Sequence, residues 1–270
     1  MNGVHEMLVL RNTAMVEQLE MNDRITGFVL KQNDYREADV ILSVLTKEYG
    51  KLSFVAQGVR KMTSKNAGSI MPYTKTEILF DYNETKTIFR LKNARCKEYY
   101  RFMHEDITAS SAAAVAAELI DVLTLQASSD MTNSDEYAFL EIVFSKLDQG
   151  YDPTLVLSLL FVDMLDVAGL LPDVDACVTC GNTHVVTVSP KDGGFLCQEH
   201  AEEHHIPFMK TEDLRRFRLL CKAGLNKIDI VNQYIEGDMK DLQYLVDILY
   251  LHADIQLKSM NFYMHLHTIV

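Results

Sequence analysis

From Arg24 the chain alternates apolar and polar residues with the period of half-buried strands. ITGFVLK, ADVILSVLT, GKLSFVAQGV, TKTEILFDY and KTIFRLKNARC carry this pattern in succession. Polar breaks separate them: QNDYRE after the first, KEYGK with Gly50 after the second, and Asn83-Glu84 between the fourth and fifth. Five short strands predict a small closed barrel. Phe28, Phe54, Phe80 and also Phe89 fall within strands, where a ring is more often core than contact surface. Between the third and fourth strands, RKMTSKNAGSIMP is polar and basic, ends at Pro72 and predicts a mobile loop.

After Arg101 the period becomes helical. ITASSAAAVAAELIDVLTLQA, residues 107 to 127, lacks glycine and proline, and a second helix is expected over 135 to 147. Asp152 and Pro153 form a helix start, an acceptor for free N–H groups followed by a ring suited to the first turn, and that helix runs to Gly169. Further helices are expected over 211 to 223 and 240 to 259, with VVTVS as a strand before them. The fold class predicted is therefore α+β and multidomain. An extension covers residues 1–21, a five-stranded OB-fold barrel 22–101, and an α-helical domain 102–270 that carries an insert at about 174–206.

Charge sharpens this division. The net charge of −12 is spread unevenly: residues 22 to 101 hold 15 Lys and Arg against 9 Asp and Glu, and residues 102 to 270 hold 10 against 26. A polyanion suits the first region and is repelled by much of the second. A barrel of this kind binds single strands through a cationic groove with exposed aromatic rings. The candidates for phosphate contact are Lys31, Arg36, Arg60, Lys61, Lys65, Lys75, Arg90 and Lys92, with Tyr35, Tyr73 and Phe89 as rings for stacking. In the acidic region the clustered arginines are Arg215, Arg216 and Arg218, either a solvated helix face or a spot for an acidic partner.

The longest apolar run, from Pro153, carries Asp163 and Asp166 and so reads as a buried helix rather than a membrane span. Glu6, Glu17 and Glu20 interrupt what a secretion signal needs as its apolar core, and Met21 could be a natural start. Five cysteines, an odd number, suit a reducing cytoplasm, with Cys96 and Cys221 expected as ordinary buried thiols.

Cys177, Cys180, Cys197 and His200 are spaced C-x2-C-x16-C-x2-H, a strong signature for one tetrahedral zinc ion. Gly181 follows the first pair, where a turn must aim N–H groups at thiolates, and Gly193 and Gly194 precede the second. Four protein ligands leave no open position, so the site is expected to be structural. Three buried thiols and a surface histidine would leave the paired spacing unexplained. His200-Ala201-Glu202 matches the H-x-E of zinc deaminases, but there the H-x-E precedes a P-C-x-x-C, and here the order is reversed. No bond-making activity is expected.

Four segments resemble the bacterial recombination mediator family RecO: ITGFVLKQNDYREADVILSVLTKEYGKLSFVAQGVRK, MPYTKTEILF, LLFVDMLDVAGLLPDVDACVTCGN and LHADIQLKSMNFY, in that order over about residues 22 to 265. The resemblance implies an OB-fold, a helical domain and a zinc element. It also implies binding of single- and double-stranded DNA, annealing of complementary strands, and, with the RecR partner, loading of RecA onto DNA covered by single-strand-binding protein, whose acidic tail engages the helical domain. His200 departs from the family's all-cysteine ligand set, and histidine is an ordinary substitute. The remaining alternative is a zinc-containing adaptor that binds proteins and not DNA.

Overall fold

A computed structural model describes residues 24–83, 85–126 and 134–268; the extension at 1–21, Met21 as a start, Glu84 of the last barrel turn and Ala127 lie outside the described residues. The main division between two compact units falls between Tyr99 and Tyr100.

The first unit is a closed barrel of β1 (Arg24–Asp34), β2 (Val40–Thr46), β3 (Gly50–Ala56), β4 (Lys75–Phe80) and β5 (Ile88–Glu98). Around the barrel the order is β1-β2-β3-β5-β4, with β3 and β5 parallel and the other pairs antiparallel. Closure leaves no unpaired strand edge. The alternation in β4 puts Thr76, Ile78 and Phe80 inside and leaves Lys75, Glu77 and Leu79 facing outward. Phe54 and Phe80 meet edge to face at 5.2 Å, and Phe80 meets Phe89 the same way at 5.1 Å. Phe89 is thus core, sealed among Phe54, Phe80 and Leu91, and has no free face for a base.

The stretch from Arg60 to Pro72 is pinned where mobility was expected. Ile70 is fully buried in the barrel core, a short 3-10 turn spans Ala67–Ser69, and the Asn66 side chain accepts the Ala94 N–H at 3.2 Å. One buried isoleucine in a polar stretch has no periodicity to betray it.

β5 contains two register breaks against β4. Thr76 pairs with Cys96 while Lys75 pairs with Glu98, which makes Lys97 an extra residue. Leu79 pairs with Asn93 while Phe80 pairs with Leu91, which makes Lys92 another. Both bulged residues are lysines and both are exposed.

The helical unit is built around α4 (Pro153–Val167), which follows α1 (Arg101–Glu105), α2 (Ile107–Gln126) and α3 (Ser134–Asp148). Thr154 through Val162, Met164 and Leu165 of α4 are all buried, each large apolar side chain contributing about 1.5–3 kcal/mol by leaving water. Asp152 starts this helix as expected, one carboxylate oxygen accepting the Thr154 N–H at 2.8 Å and the other the Gly237 N–H at 2.6 Å. By length and composition Ile107–Thr124 of α2 is apolar enough to cross a membrane. Within this unit, however, Ala112, Ala113, Ala116 and Ala117 of α2 are buried, and the helix packs on α4 and on α9 (Lys258–Thr268).

Beyond the short α7 (Ile228–Val231), the single helix expected over 240 to 259 is two: α8 (Met239–Ala253) and α9. Asp254 ends α8 in the left-handed region at φ 55°, and Ile255 and Leu257 of the connection turn inward. Glu118 of α2 starts α9, accepting the N–H groups of Lys258 and Ser259 and the Ser259 hydroxyl. A cap supplied by a side chain 140 residues away leaves no local signal.

Candidate metal centre and basic barrel surface

The insert begins at a turn carrying Cys177 and Cys180 and continues as the hairpin β6 (Val185–Ser189) and β7 (Gly194–Cys197), which runs into α5 (Gln198–Glu203). Gly181 takes φ 73°, and its N–H donates to the Cys177 carbonyl at 2.8 Å, which folds the first ligand pair back on itself. Cys197 ends β7 and His200 lies in the first turn of α5.

Hairpin and turn bring Cys177, Cys180, Cys197 and His200 together, with all four ligand atoms within 4.8 Å of one another. Cys180 Sγ lies 3.7 Å from Cys197 Sγ, and His200 Nδ1 lies 3.6 Å from Cys177 Sγ and 3.2 Å from Cys197 Sγ. A tetrahedral ion with metal–sulfur bonds of about 2.3 Å sets neighbouring sulfurs roughly 3.8 Å apart, so this donor set fits a metal ion. Burial pushes the Cys177 thiol up, but backbone hydrogen bonds at Cys197, Cys180 and Thr179 outweigh it and bring it to about 6. Cys197 is also lowered, chiefly by a backbone hydrogen bond at His200. Cys177 and Cys197 are therefore held towards the thiolate that a cation requires, whereas Cys180 is raised in the absence of the ion.

Gly194 is held by close approach. A Cβ there would sit 2.2 Å from the Asp173 carbonyl oxygen, which accepts the Phe195 N–H at 2.9 Å. Gly194→Ala is expected to force Asp173 away, cost about 1–3 kcal/mol, and speed metal loss to a chelator, measured by thermal melting and by release kinetics.

Of the cations proposed for phosphate contact, Lys31, Lys61, Lys65 and Arg90 are exposed and have no ion pair among the described residues. Arg36 is exposed and stacks over the Tyr35 ring at 5.1 Å. Arg60 pairs with Asp34 at 3.0 Å and Lys92 pairs with Asp81. Lys75 is the least available, its side chain 17% exposed and 3.6 Å from Glu98. Tyr35 is exposed and Tyr73 half-buried.

Sequence reasoning missed three further cations: Arg24, Arg95 and Lys97. Lys97 lies 2.9 Å and Arg24 4.0 Å from Glu77, while Arg95 is the register partner of Glu77 across β4 and β5. Lys97 donates to Glu77 and, with Arg24 and Arg95, holds its carboxyl below the usual range. The signal for Arg95 and Lys97 is the bulge at Lys92, which shifts the alternation used to assign faces.

The arginines of α6 (Thr211–Ala223) do not form one cluster. Arg216 turns inward and is held by Asp241 at 2.6 Å, Asp213 at 2.8 Å and Asp238 at 3.0 Å. It is a structural residue, which corrects its grouping as a partner contact. Arg218 pairs with Asp175 at 2.5 Å, and Arg215 is exposed. Both edge a groove of about 470 Å³ whose floor includes Val174, Val186, Phe195 and Leu214.

Two family profiles match this chain: Recombination protein O N terminal over residues 21–100, and Recombination protein O C terminal over residues 104–260. Among curated proteins, the chain is 28% identical over 249 residues to the DNA repair protein RecO of Bacillus subtilis, covering 90% of this chain and 94% of that one. The protein of the same name from Listeria welshimeri is 28% identical over 248 residues, covering 89% and 93%. That from Latilactobacillus sakei is 26% identical over 243 residues, covering 87% and 86%.

Proposed function

This chain belongs to the recombination protein O family, and from that premise we propose that it is a non-catalytic mediator of DNA repair and recombination in the bacterial cytoplasm. Its barrel binds single- and double-stranded DNA. With RecR it anneals complementary strands and promotes RecA loading onto DNA covered by single-strand-binding protein. The observation that supports this reading is a closed barrel whose exposed cations, Lys31, Lys61, Lys65 and Arg90, stand on the basic part of an otherwise acidic chain.

The affinity of such a surface is dominated by counterion release. Lys61→Ala with Lys65→Ala is expected to shallow the salt dependence of oligothymidylate binding by about 1 to 1.4 in log–log slope, since each single-strand phosphate contributes roughly 0.7. An unchanged slope would move DNA off this part of the barrel. Strand annealing with and without single-strand-binding protein separates the mediator from a protein-only adaptor, which predicts no annealing.

Zinc is the metal this reading assigns to Cys177, Cys180, Cys197 and His200, because three thiolates and an imidazole in a tetrahedron are its usual structural set. When bound, it cross-links the turn, the hairpin end and α5. Glu202, the would-be deaminase acid, is exposed and accepts from Gln198 at 2.8 Å on the outside of α5. For the acidic tail of single-strand-binding protein, the groove edged by Arg215 and Arg218 supplies a cationic rim over an apolar floor.

A further inference from the structure

We propose that the outer face of β5, with Arg24 of β1, is a second phosphate-binding track on the barrel, and that Glu77 is its built-in competitor. The inference rests on the DNA-binding reading above and extends it from Arg90 and Lys92 to Arg24, Arg95 and Lys97, which that reading does not use. Seven side chains of β5 are exposed, and four of them are the cations Arg90, Lys92, Arg95 and Lys97; the others are Ile88, Asn93 and Glu98, the last paired with Lys75. Regular alternation would put Arg90 and Lys92 on one face and Arg95 and Lys97 on the other; the bulge at Lys92 shifts the alternation and turns both pairs outward. Each bulge spends an unpaired residue on a lysine.

Midway along β5, at Asn93 to Arg95, the track deepens into a polar dent of about 220 Å³ whose lining includes Arg24, Glu77, Asn93 and Arg95. Glu77 sits across the sheet from both neighbours, opposite Arg95 on β5 and opposite Thr26 on β1, two residues from Arg24 on the same face. Three cations therefore converge on one carboxylate that is itself only 25% exposed, while Lys97 and Arg24 stay 39% and 66% exposed. One carboxylate cannot saturate them. The arrangement leaves an excess of positive charge with its donors already aimed at an anionic oxygen, the geometry that a backbone phosphate requires. Lys92 and Asp81 repeat the motif at the other bulge.

If the cations served only to neutralise Glu77, removing its charge would lower stability and leave DNA alone. A phosphate track predicts the opposite sign. Fluorescence anisotropy with labelled oligothymidylate, measured over a salt series on the full chain, is the test. Glu77→Gln should tighten binding severalfold and steepen the log–log slope by up to about 0.7, and Arg95→Ala with Lys97→Ala should weaken binding about tenfold and shallow the slope by about 1.4. Thermal melting of each variant reports folding, and Lys97→Gln, a milder change at an exposed site, should shallow the slope by about 0.7. Wild-type binding with slopes that none of these changes moves would overturn the track and leave the barrel's other DNA contacts standing. Failure of the wild type to bind oligothymidylate would overturn both readings together.

Discussion

Cys197→Ser is expected to cost on the order of 4 kcal/mol of stability and to lower the melting midpoint by roughly 8–16 °C, with metal content falling from one ion per chain towards zero. Cys197 joins three elements at once: it closes β7, precedes α5 and shares the ligand cluster with Cys180 and His200. Without a fourth ligand, the turn at Cys177–Gly181 keeps only its short backbone bonds and a small cluster of Leu196 and Ala201 with flanking valines. Differential scanning calorimetry and elemental analysis check this. A chelator should bring the wild type down to the variant's midpoint and leave the variant where it is. DNA affinity should change less than stability does, because the cations proposed for DNA lie in the barrel. Acid should release the metal as protons compete for the thiolates. In the metal-free chain, Cys177 is depressed to about 6, so its contribution is full above the ordinary thiol value of about 8.5 and is lost as pH falls towards 6.

Arg216→Ala should cost about 3–5 kcal/mol, because it strands Asp241, whose side chain is 0% exposed and loses its paired guanidinium. Burial already raises Asp241 above the usual carboxylate range, and Arg216 opposes that rise. Without the arginine the carboxyl rises further. A carboxyl raised on folding destabilises at pH above its folded value and not below the unfolded value of about 3.9, so the deficit should shrink as pH is lowered from 7 towards 4. Chemical denaturation at both pH values measures it. Arg216→Ala with Asp241→Leu should recover part of the loss, since removing both charges is milder than removing one. Arg215→Ala should leave stability unchanged while weakening any acidic peptide bound in the adjacent groove.

The barrel strands and the ligand quartet were legible because their signals are local. Alternation assigns β2 and β4 almost residue by residue, and C-x2-C followed by C-x2-H states its own geometry. What escaped depends on residues distant in sequence or on broken periodicity. Ile70 looks like loop until the barrel closes around it, and Phe89 looks like a stacking ring until Phe54 and Phe80 meet its faces. Arg95 and Lys97 share a face with Arg90 only because of the bulge at Lys92, which no count of alternating residues contains. Arg216 looked like one of three equivalent surface arginines, and only the return of Asp238 and Asp241 from a later segment buries it.

The hydrogen bonds from Lys258 and Ser259 to Glu118 bear on how the protein is made. A chain leaving the ribosome has all five barrel strands in hand once Glu98 has emerged, so the barrel can close early. The helical unit waits for Lys258–Thr268 to be synthesised before α9 can be capped and packed on α2. Until then the buried alanine face of α2 and the long apolar helix α4 stay open to solvent or to a chaperone. Truncation before Lys258 should therefore spare the barrel and fail in the helices, giving a folded barrel attached to an aggregation-prone segment.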